Sequence, residues 1–391
     1  MKSINLDIHG AGSAHSRVHH TPVLATAIAT TQTQRGTATV PYHRSVNYGV
    51  IPTDLSERLA LAFGKVPIPL LDSLYGILKA RTLMAGVRLG VFEALGAGPQ
   101  KSSELARRLK LDERFLDLLL RNLVLAGYLT QKDDGYNLSK LGRRTMIPGG
   151  DMEMFGYILW NYEQWDMVAG LDEAVRRGRG LDFHTTLKDP AAWGNYQRGM
   201  LELARLEAAT VARKVPLPPG ARSLLDVAGS HGLFGAAICR KHPPMRSTVI
   251  ELPEALAGAR SLAASEGIDD IVEHRAGSLL DGDWGDGYDV VLLFNILHHF
   301  LPEQIACILR KAAAALRPKG VVAVWELERP RAGSKVTVGD GAALYFALTS
   351  TGGAYHADEY SSWLRQAGFE SIRVARGKLT PGKILVTAAA R

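Results

Sequence analysis

The stretch Ser223-Leu224-Leu225-Asp226-Val227-Ala228-Gly229-Ser230-His231-Gly232-Leu233-Phe234-Gly235 decides the fold of this chain. Its first five residues are mostly apolar, as at the end of a buried parallel strand, and helical spacing begins at Leu233. A tight turn with few bulky side chains between a strand and a helix lets a ligand approach the backbone. The first N–H groups of the helix are then free to bind that ligand. The stretch therefore predicts a ligand-binding turn in an α/β sheet.

Two carboxylates near this turn indicate what it binds. The glycines follow the spacing G-x-x-G-x-x-G instead of the G-x-G-x-x-G of dinucleotide-binding folds, which disfavours an NAD-dependent dehydrogenase. Asp226, directly before the turn, would repel a pyrophosphate but suits a cationic ligand with an amino group. The next strand, Ser247-Thr248-Val249-Ile250, ends at Glu251, where a carboxylate can accept hydrogen bonds from ribose hydroxyls. These features fit S-adenosylmethionine better than NAD.

Five motifs in one order strengthen this interpretation. The run from Asp226 to Gly232 resembles the D-x-G-G-G-x-G motif of class I S-adenosylmethionine-dependent methyltransferases. The other four resemble motifs of the small-molecule O-methyltransferases of the plant caffeate/isoflavone and bacterial polyketide type: Ile250-Glu251-Leu252-Pro253 (D-L-P), Leu297-His298-His299-Phe300 (L-H-D-W), Glu326-Leu327-Glu328-Arg329-Pro330 (E-x-x-x-P) and Ala367-Gly368-Phe369. The resemblance extends from about Pro67 to the C-terminus. It implies S-adenosyl-L-methionine as the cofactor, a small-molecule acceptor and no metal.

The resemblance also implies which residues contact the cofactor: Asp226, Gly229, Gly232, Glu251, Leu252, Gly277, Ser278 and Phe294. Three positions depart from the family pattern. Gly277-Ser278 stands where the family has Gly-Asp, Phe294 replaces a lysine, and Gly352-Gly353-Ala354-Tyr355-His356 has no counterpart of a second supporting glutamate. A reduced set of basic groups suits an acidic phenol, or an acceptor carbon or nitrogen that needs little deprotonation.

His298 and Glu326 follow the ends of two apolar strands, Val290-Val291-Leu292-Leu293 and Val321-Val322-Ala323-Val324. Ligands of open parallel sheets bind beyond the carboxyl ends of strands, so we expect these two side chains to converge. A phenol with a pKa of about 10 is mostly neutral at pH 7, and a histidine can take its proton during methyl transfer. The resemblance assigns His298 as the base and Glu326 as its partner, although His298 could instead only cap the strand end. We expect His299, where the family has Asp, to be structural.

From residue 218 to residue 391, strands and helices alternate as in a doubly wound sheet. The fold class is α/β, with a Rossmann-like seven-stranded sheet in this cofactor-binding catalytic domain. The predicted strands are Ser223–Val227, Ser247–Glu251, Ile271–Arg275, Tyr288–Leu293, Gly320–Glu326, Ser371–Ala375 and Lys383–Ala388.

Residues 67–150 carry two amphipathic helices followed by a hairpin with a D-G turn, the order of a winged helix. A winged helix often binds DNA, but the second helix offers only Arg114 and Arg121 as cations. We expect no nucleic-acid partner. The resemblance implies that this mostly helical N-terminal domain forms a homodimer, and Phe115, Leu116, Leu119 and Leu120 carry more apolar surface than one small lobe can bury.

Residues 151–217 are helical in pattern and rich in aromatic side chains, which suits a linker and substrate cap. Tyr196-Gln197-Arg198-Gly199-Met200 resembles the family motif F-N-x-x-M, whose methionine packs between substrate and cofactor. Aromatic and methionine side chains at helical spacing also fill ordinary cores. We expect the substrate pocket to contain Trp160, Tyr196, Met200 and, from further along the chain, Phe346.

Residues 1–60 lack hydrophobic periodicity, and their five histidines (His9, His15, His19, His20 and His43) could suggest a metal site. Their composition instead favours a disordered extension. The formal charge of +7 on 391 residues is spread along the chain, so it alone does not indicate nucleic acid. The two cysteines show no metal spacing, and no apolar run could span a bilayer, so we expect a cytoplasmic protein without membrane contact.

The sequence thus predicts a homodimeric methyltransferase acting on a hydroxyl of an aromatic or polyketide-like small molecule. One alternative keeps the fold and cofactor but methylates carbon or nitrogen without a general base. A remote alternative is a winged-helix regulator that senses a ligand, which would need a cationic recognition helix. The acceptor, the methylated position and the pathway are left open.

Overall fold

The computed structural model describes residues 49–183, 190–334, 336, 338–376 and 382–391. Most of the predicted N-terminal extension, including its five histidines, lies outside these residues. The rest of it is described, and it contains helix α1 (Leu55–Ala62), which begins where the side chain of Asp54 accepts a hydrogen bond from the N–H of Glu57. A folded element therefore begins before residue 60.

The N-terminal domain is a winged helix, as predicted. Its sheet has the antiparallel order β1-β3-β2, and a two-residue turn joins β2 to β3. The sheet packs against the two helices that the sequence indicated, α5 and α6. The elements are α2 (Ile68–Leu70), a π-helical turn (Leu71–Tyr75), α3 (Gly76–Arg88), α4 (Val91–Leu95), β1 (Gln100–Lys101), α5 (Ser102–Leu109), α6 (Glu113–Leu125), β2 (Leu129–Lys132), β3 (Gly135–Leu138) and α7 (Lys140–Thr145).

Helix α6 divides its apolar side chains differently from our expectation. Leu116 and Leu120 are fully buried in the core of the lobe, while Phe115 is 65% exposed and Leu125 is 79% exposed. The exposed apolar surface therefore lies on the opposite side of α6 from Leu116 and Leu120, because a helix of 3.6 residues per turn separates these positions.

A helical segment connects this lobe to the sheet: α8 (Phe155–Glu163), α9 (Trp165–Ala169), α10 (Leu171–Arg177) and α11 (Pro190–Val211). The buried carboxylate of Glu202 on α11 accepts hydrogen bonds from the N–H groups of Gly156 (2.7 Å) and Tyr157 (2.8 Å). These groups belong to the first turn of α8, whose N–H groups have no partner within the helix. Glu202 therefore fixes α11 to the start of α8.

The C-terminal domain contains a seven-stranded sheet of order β6-β5-β4-β7-β8-β10-β9, in which β10 alone pairs antiparallel to its neighbours. Apolar side chains on the two faces form two core clusters beneath the helices. This arrangement confirms the predicted fold class. The elements are β4 (Ser223–Val227), α12 (Leu233–Cys239), β5 (Arg246–Glu251), α13 (Leu256–Ser265), β6 (Val272–Ala276), β7 (Tyr288–Phe294), α14 (Pro302–Ala315), β8 (Leu316–Leu327), α15 (Val338–Thr349), α16 (Ala357–Gln366), β9 (Glu370–Arg376) and β10 (Lys383–Ala389).

Strand β4 is paired with β5 on one side and with β7 on the other. From β4 the chain continues to β5 and β6 on one side, and it then crosses to β7 and β8 on the other side. A crevice opens beyond the carboxyl end of β4, where the strand order reverses. The glycine turn, Glu251 and the two histidines all follow strands that end there. Across the described ranges, no helix is long and apolar enough to cross a membrane.

Candidate active site

A cavity of about 380 Å³ lies beyond the carboxyl ends of β4, β5 and β7. Its walls come from the glycine turn, the strand ends and helix α11 of the cap. The residues that line it include Ser230, Glu251, Leu252, Gly277, Ser278, Tyr196 and His299. The structure thus brings together residues from four motifs that are far apart in the sequence.

Glu251 is held at the end of β5 by backbone groups. One carboxylate oxygen accepts the N–H of Ser230 at 3.0 Å, and the other accepts the N–H of Leu252 at 2.8 Å. Burial raises the pKa of Glu251, and the two N–H donors oppose that effect. Each carboxylate oxygen can accept more than one hydrogen bond, so Glu251 keeps capacity for hydroxyl groups of a ligand.

Asp226 lies below the glycine turn and does not line the cavity. Its side chain occupies the place where a Cβ on Gly229 would be, which explains why that position is glycine. Burial raises the pKa of Asp226 to about 7, against the effect of the Gly235 N–H. Its Oδ2 atom is buried and has no hydrogen-bond partner within the described part of the chain. A buried polar atom without a partner is uncommon in a folded protein, so the Asp226 carboxylate is a feature that the fold alone does not explain.

Gly232 directly precedes helix α12 and has a positive φ of 74°, and a Cβ at this position would lie 2.7 Å from Val272. Gly277 and Ser278 follow β6 and line the cavity beside Glu251, whose carbonyl oxygen accepts the Gly277 N–H at 2.9 Å. The Ser278 hydroxyl accepts the N–H groups of Leu280 and Asp281 and so shapes its own loop. Phe294 differs from our expectation: its ring packs edge-on against Phe234 in the core, at 5.3 Å between centroids, and does not line the cavity.

His298 and Glu326 converge, as the strand ends predicted. His298 Nδ1 lies 2.8 Å from Glu326 Oε2, and both side chains are buried. The other Glu326 oxygen accepts the N–H groups of Ile296 and Leu297, each at 2.7 Å. Burial alone would raise the pKa of Glu326, but His298, Lys383 and these donors hold it below its usual value. Glu326 is therefore ionised and accepts the Nδ1 proton of His298, which leaves Nε2 as the nitrogen with the lone pair.

His299, expected to be structural, lines the cavity, whereas His298 lies behind it. The ring of His299 is fixed because Nδ1 lies 2.9 Å from the Ser350 hydroxyl and the ring edge packs on Phe183 at 5.5 Å. His298 stacks on Phe346, with 4.0 Å between centroids and 18° between planes. His298 Nε2 makes no hydrogen bond with any residue that the structure describes. The atom is not completely buried, so it can still accept a proton.

Some of the cap residues line the cavity, and others pack behind those residues. Tyr196 lines the cavity. Trp160 is buried behind it, with ring centroids 5.0 Å apart, and Phe183 packs against both rings at 5.0 Å. Met200, a residue of α11, and Phe346 are not part of the cavity wall. Phe183 was missed in the sequence because it stands outside any regular pattern.

Sequence reasoning also missed two buried histidines around the glycine turn. His274 Nε2 lies 2.9 Å from the carbonyl oxygen of Ser230, and His231 Nδ1 accepts the N–H of Leu233 at 3.0 Å. Burial lowers the pKa of His231 to about 4, so its ring stays neutral. The signal available in the sequence was a histidine within the glycine turn itself.

Comparisons with known proteins identify the family of this chain. A family model for an O-methyltransferase domain matches residues 147–370, and a model for an O-methyltransferase dimerisation domain matches residues 71–147. The 3-hydroxy-5-methyl-1-naphthoate 3-O-methyltransferase of Streptomyces sahachiroi is 28% identical over 323 residues, covering 79% of this chain and 91% of that protein. Mitomycin biosynthesis 6-O-methyltransferase of Streptomyces lavendulae is 30% identical over 327 residues, covering 78% of this chain and 88% of that protein.

Solved structures agree as well. The S-adenosylmethionine-dependent methyltransferase SibL, crystallised in its apo form, superposes with a TM-score of 0.59 at 25% identity. The match covers 82% of this chain and 98% of that one. Together, the cavity at the strand ends and the two family matches show that this chain belongs to the O-methyltransferase family and uses S-adenosylmethionine as its methyl donor.

Proposed function

We propose that the chain methylates a hydroxyl group on an aromatic or polyketide-like small molecule, with His298 as the general base. The observation that carries this proposal is the buried His298–Glu326 pair beside the cofactor cavity. Relatives whose names specify a naphthoate and a mitomycin O-methyltransferase support the class of acceptor.

The cofactor, when bound, supplies an electrophilic methyl group on a sulfonium. Glu251 would accept hydrogen bonds from the ribose hydroxyls, Asp226 would favour the amino group, and Gly277-Ser278 with Leu252 would border the adenine. These roles are supported by the carboxylate at the end of β5 and by the unpaired Asp226 oxygen. Gly229 and Gly232 let the turn pack closely on Asp226 and Val272, which would hold it in the shape that binds the cofactor.

The proton of the acceptor hydroxyl goes to His298 Nε2. Glu326 cannot donate, because it is ionised and already accepts from Ile296, Leu297 and His298. It therefore holds the imidazole in the tautomer whose Nε2 accepts a proton, and it stabilises the imidazolium that forms. The Phe346 ring stacks on one face of the His298 ring and so restricts rotation of the imidazole.

The experiment that tests this proposal is a screen of phenolic and quinone acceptors with S-adenosylmethionine labelled in the methyl group. Product mass and NMR identify the atom that carries the label. Oxygen-bound label on an aromatic hydroxyl supports the proposal. Label on carbon or nitrogen supports instead the alternative of a methyltransferase without a general base, which the absence of the second family glutamate favours.

We also propose that residues 67–150 form the dimerisation domain, residues 151–217 the linker and cap, and residues 218–391 the catalytic domain. The matched dimerisation model supports a homodimer. So does an exposed apolar surface on the N-terminal helices, made of Leu55, Phe63, Leu70, Leu74, Ile77, Phe115, Leu118 and Leu125. The free thiols of Cys239 and Cys307 suit the reducing cytoplasm, which we propose as the location.

Light scattering on the intact chain checks the homodimer. We expect twice the monomer mass at micromolar concentration, because the apolar side chains on the N-terminal helices are covered only when two copies associate. Replacing Phe115 and Leu125 with glutamate should shift the mass toward the monomer, and the same change at the exposed, already polar Lys132 should not. A wild-type monomer would contradict the proposed assembly.

A further inference from the structure

The cofactor turn contains two residues in a backbone conformation that normally requires glycine. Ala228 has a φ of 55° and Ser230 a φ of 48°, both in the left-handed region. A side chain in that region clashes with its own backbone, so alanine and serine are less favourable there than glycine. The chain must therefore hold this turn in place with contacts from outside it.

Both peptide groups of Ser230 have such a contact. Its N–H donates to Glu251 at 3.0 Å, and its carbonyl oxygen lies 2.9 Å from His274 Nε2. A carbonyl oxygen only accepts, so the proton is on Nε2 of His274. The ring is buried and sits on β6, directly beside the β5 strand that ends in Glu251. Side chains of the neighbouring strands β5 and β6 therefore bind both the N–H and the carbonyl group of Ser230.

His231, the residue after Ser230, connects the turn to helix α12. His231 is 3% exposed, and its Nδ1 accepts the N–H of Leu233 in the first turn of α12. This bond satisfies one N–H that the helix itself leaves without a partner. His231 therefore joins the end of the turn to the helix that follows.

We propose that His274 is a positioning residue for the cofactor: it stabilises the left-handed conformation of Ser230 and so preserves the cofactor-binding shape of the turn. His231 supports the same shape from the helix side. Neither ring contacts the reacting atoms. This inference rests on the proposed binding of the cofactor against the turn, and it adds a role that the glycine motif alone does not supply.

The test is a double-mutant cycle read by calorimetry with S-adenosylhomocysteine as the probe. His274→Ala should weaken binding about tenfold, the effect of losing one buried hydrogen bond that supports the site. Ser230 lines the cavity, so Ser230→Gly is measured first as the reference for its own effect on binding. Glycine adopts this conformation without help, so the double variant His274→Ala/Ser230→Gly should bind within about threefold of Ser230→Gly alone.

Two further variants separate this role from general stability. Ser230→Ala removes the hydroxyl but keeps the Cβ, so it should not rescue His274→Ala. Ala228→Gly relieves the other left-handed residue, which His274 does not touch, so its effect should be the same with and without His274. If His274→Ala does not fold, His274→Leu, which fills the site but cannot donate, takes its place in the cycle, and His274→Gln, whose amide can still donate, should keep the wild-type affinity.

The outcomes distinguish this inference from the proposed function. If the wild-type chain does not bind the probe, the proposed cofactor site fails. If the wild type binds but His274→Ala binds equally well, or if Ser230→Ala rescues as well as Ser230→Gly, the positioning role of His274 is overturned and the proposed function stands.

Discussion

The two sides of the cavity are held together by different kinds of contact. On the cofactor side, Glu251 and His274 bind backbone N–H and carbonyl groups of the glycine turn. On the side that we propose for the acceptor, aromatic rings at and behind the cavity wall pack on other rings: Phe183 on Tyr196, and Phe346 on His298. Directed hydrogen bonds define one geometry, whereas ring packing defines shape and tolerates exchange of similar rings.

This difference suggests how one fold keeps its cofactor and changes its acceptor. The turn and strand ends must present fixed donors and acceptors to an unchanging ligand. Aromatic side chains of α8, α11 and α15 lie on the side that we propose for the acceptor, and we expect single substitutions there to reshape the pocket. We therefore expect variants on the cofactor side to alter binding of the cofactor, and variants at the His298–Glu326 pair to alter the rate.

The largest expected effect is that of His298→Ala. A positioned base contributes about 10²–10⁴-fold in rate, so kcat should fall by that range. The affinity for S-adenosylhomocysteine should change less than about threefold, because His298 does not line the cofactor cavity. Steady-state kinetics with the acceptor found in the screen, together with calorimetry, measure both quantities.

The matched control is His242→Ala, an exposed histidine away from the site, which should leave kcat unchanged. A His298→Ala variant that keeps most of its rate would show that the acceptor is already ionised or is a carbon or nitrogen atom. In that case the His298–Glu326 pair would be structural, and the two sides of the cavity would no longer differ in their roles.

A smaller effect is expected for Glu251→Gln, and it should appear in cofactor affinity and not in kcat. The amide offers one acceptor oxygen where the carboxylate offers two, and it places an NH₂ group against a backbone N–H donor. Binding of S-adenosylhomocysteine should weaken by about 1–3 kcal/mol, as for other hydrogen bonds to charged groups. At saturating cofactor, kcat should stay within about threefold of the wild-type value.

Glu254→Gln is the control for this variant, since Glu254 is exposed and only three residues further along. Unchanged affinity in Glu251→Gln would remove Glu251 from the cofactor site. A large loss of kcat at saturating cofactor would also argue against a cofactor side that acts only through binding.

The sequence predicted the sheet well because buried parallel strands are short apolar runs between turn signals. Strand β4 has the predicted bounds, Ser223–Val227. Strand β8 begins at Leu316, four residues earlier than predicted, because Arg317-Pro318-Lys319 looks like a turn. In the fold, Leu316 pairs with Tyr288 and a positive φ at Lys319 accommodates an irregularity in the pairing.

The site was predictable where strand direction alone decided it, as for His298 and Glu326. It was not predictable where the direction of a side chain mattered. Successive strand residues face opposite sides, so the motif indicated that Phe294 was near the cofactor but not that its ring faces Phe234. Contacts between distant elements, such as Phe346 on His298, have no periodicity that spacing could reveal.

The smallest expected effect on the cofactor side is that of Asp226→Asn, and it depends on pH. Burial raises the pKa of Asp226 to about 7, so the carboxyl is mostly neutral at pH 6 and mostly ionised at pH 8. An amide resembles the neutral acid, so S-adenosylhomocysteine should bind the variant and the wild type within about twofold at pH 6. At pH 8 the ionised carboxylate attracts the ligand's amino group, and the wild type should bind about threefold to tenfold tighter.

The raised pKa of Asp226 also affects the stability of the unliganded chain. Rising pH should strengthen cofactor binding but lower the free energy of unfolding. The pKa of Asp226 is higher in the folded state than the usual 3.8, so its contribution to stability is greatest below that value and is lost as pH rises to about 7. The wild type should therefore lose up to about 1.4 kcal/mol per pH unit relative to Asp226→Asn between pH 5 and pH 7. Thermal unfolding of both proteins at several pH values measures this difference. A constant difference would show that Asp226 is ionised throughout, and the cofactor affinity should then show no dependence on its titration.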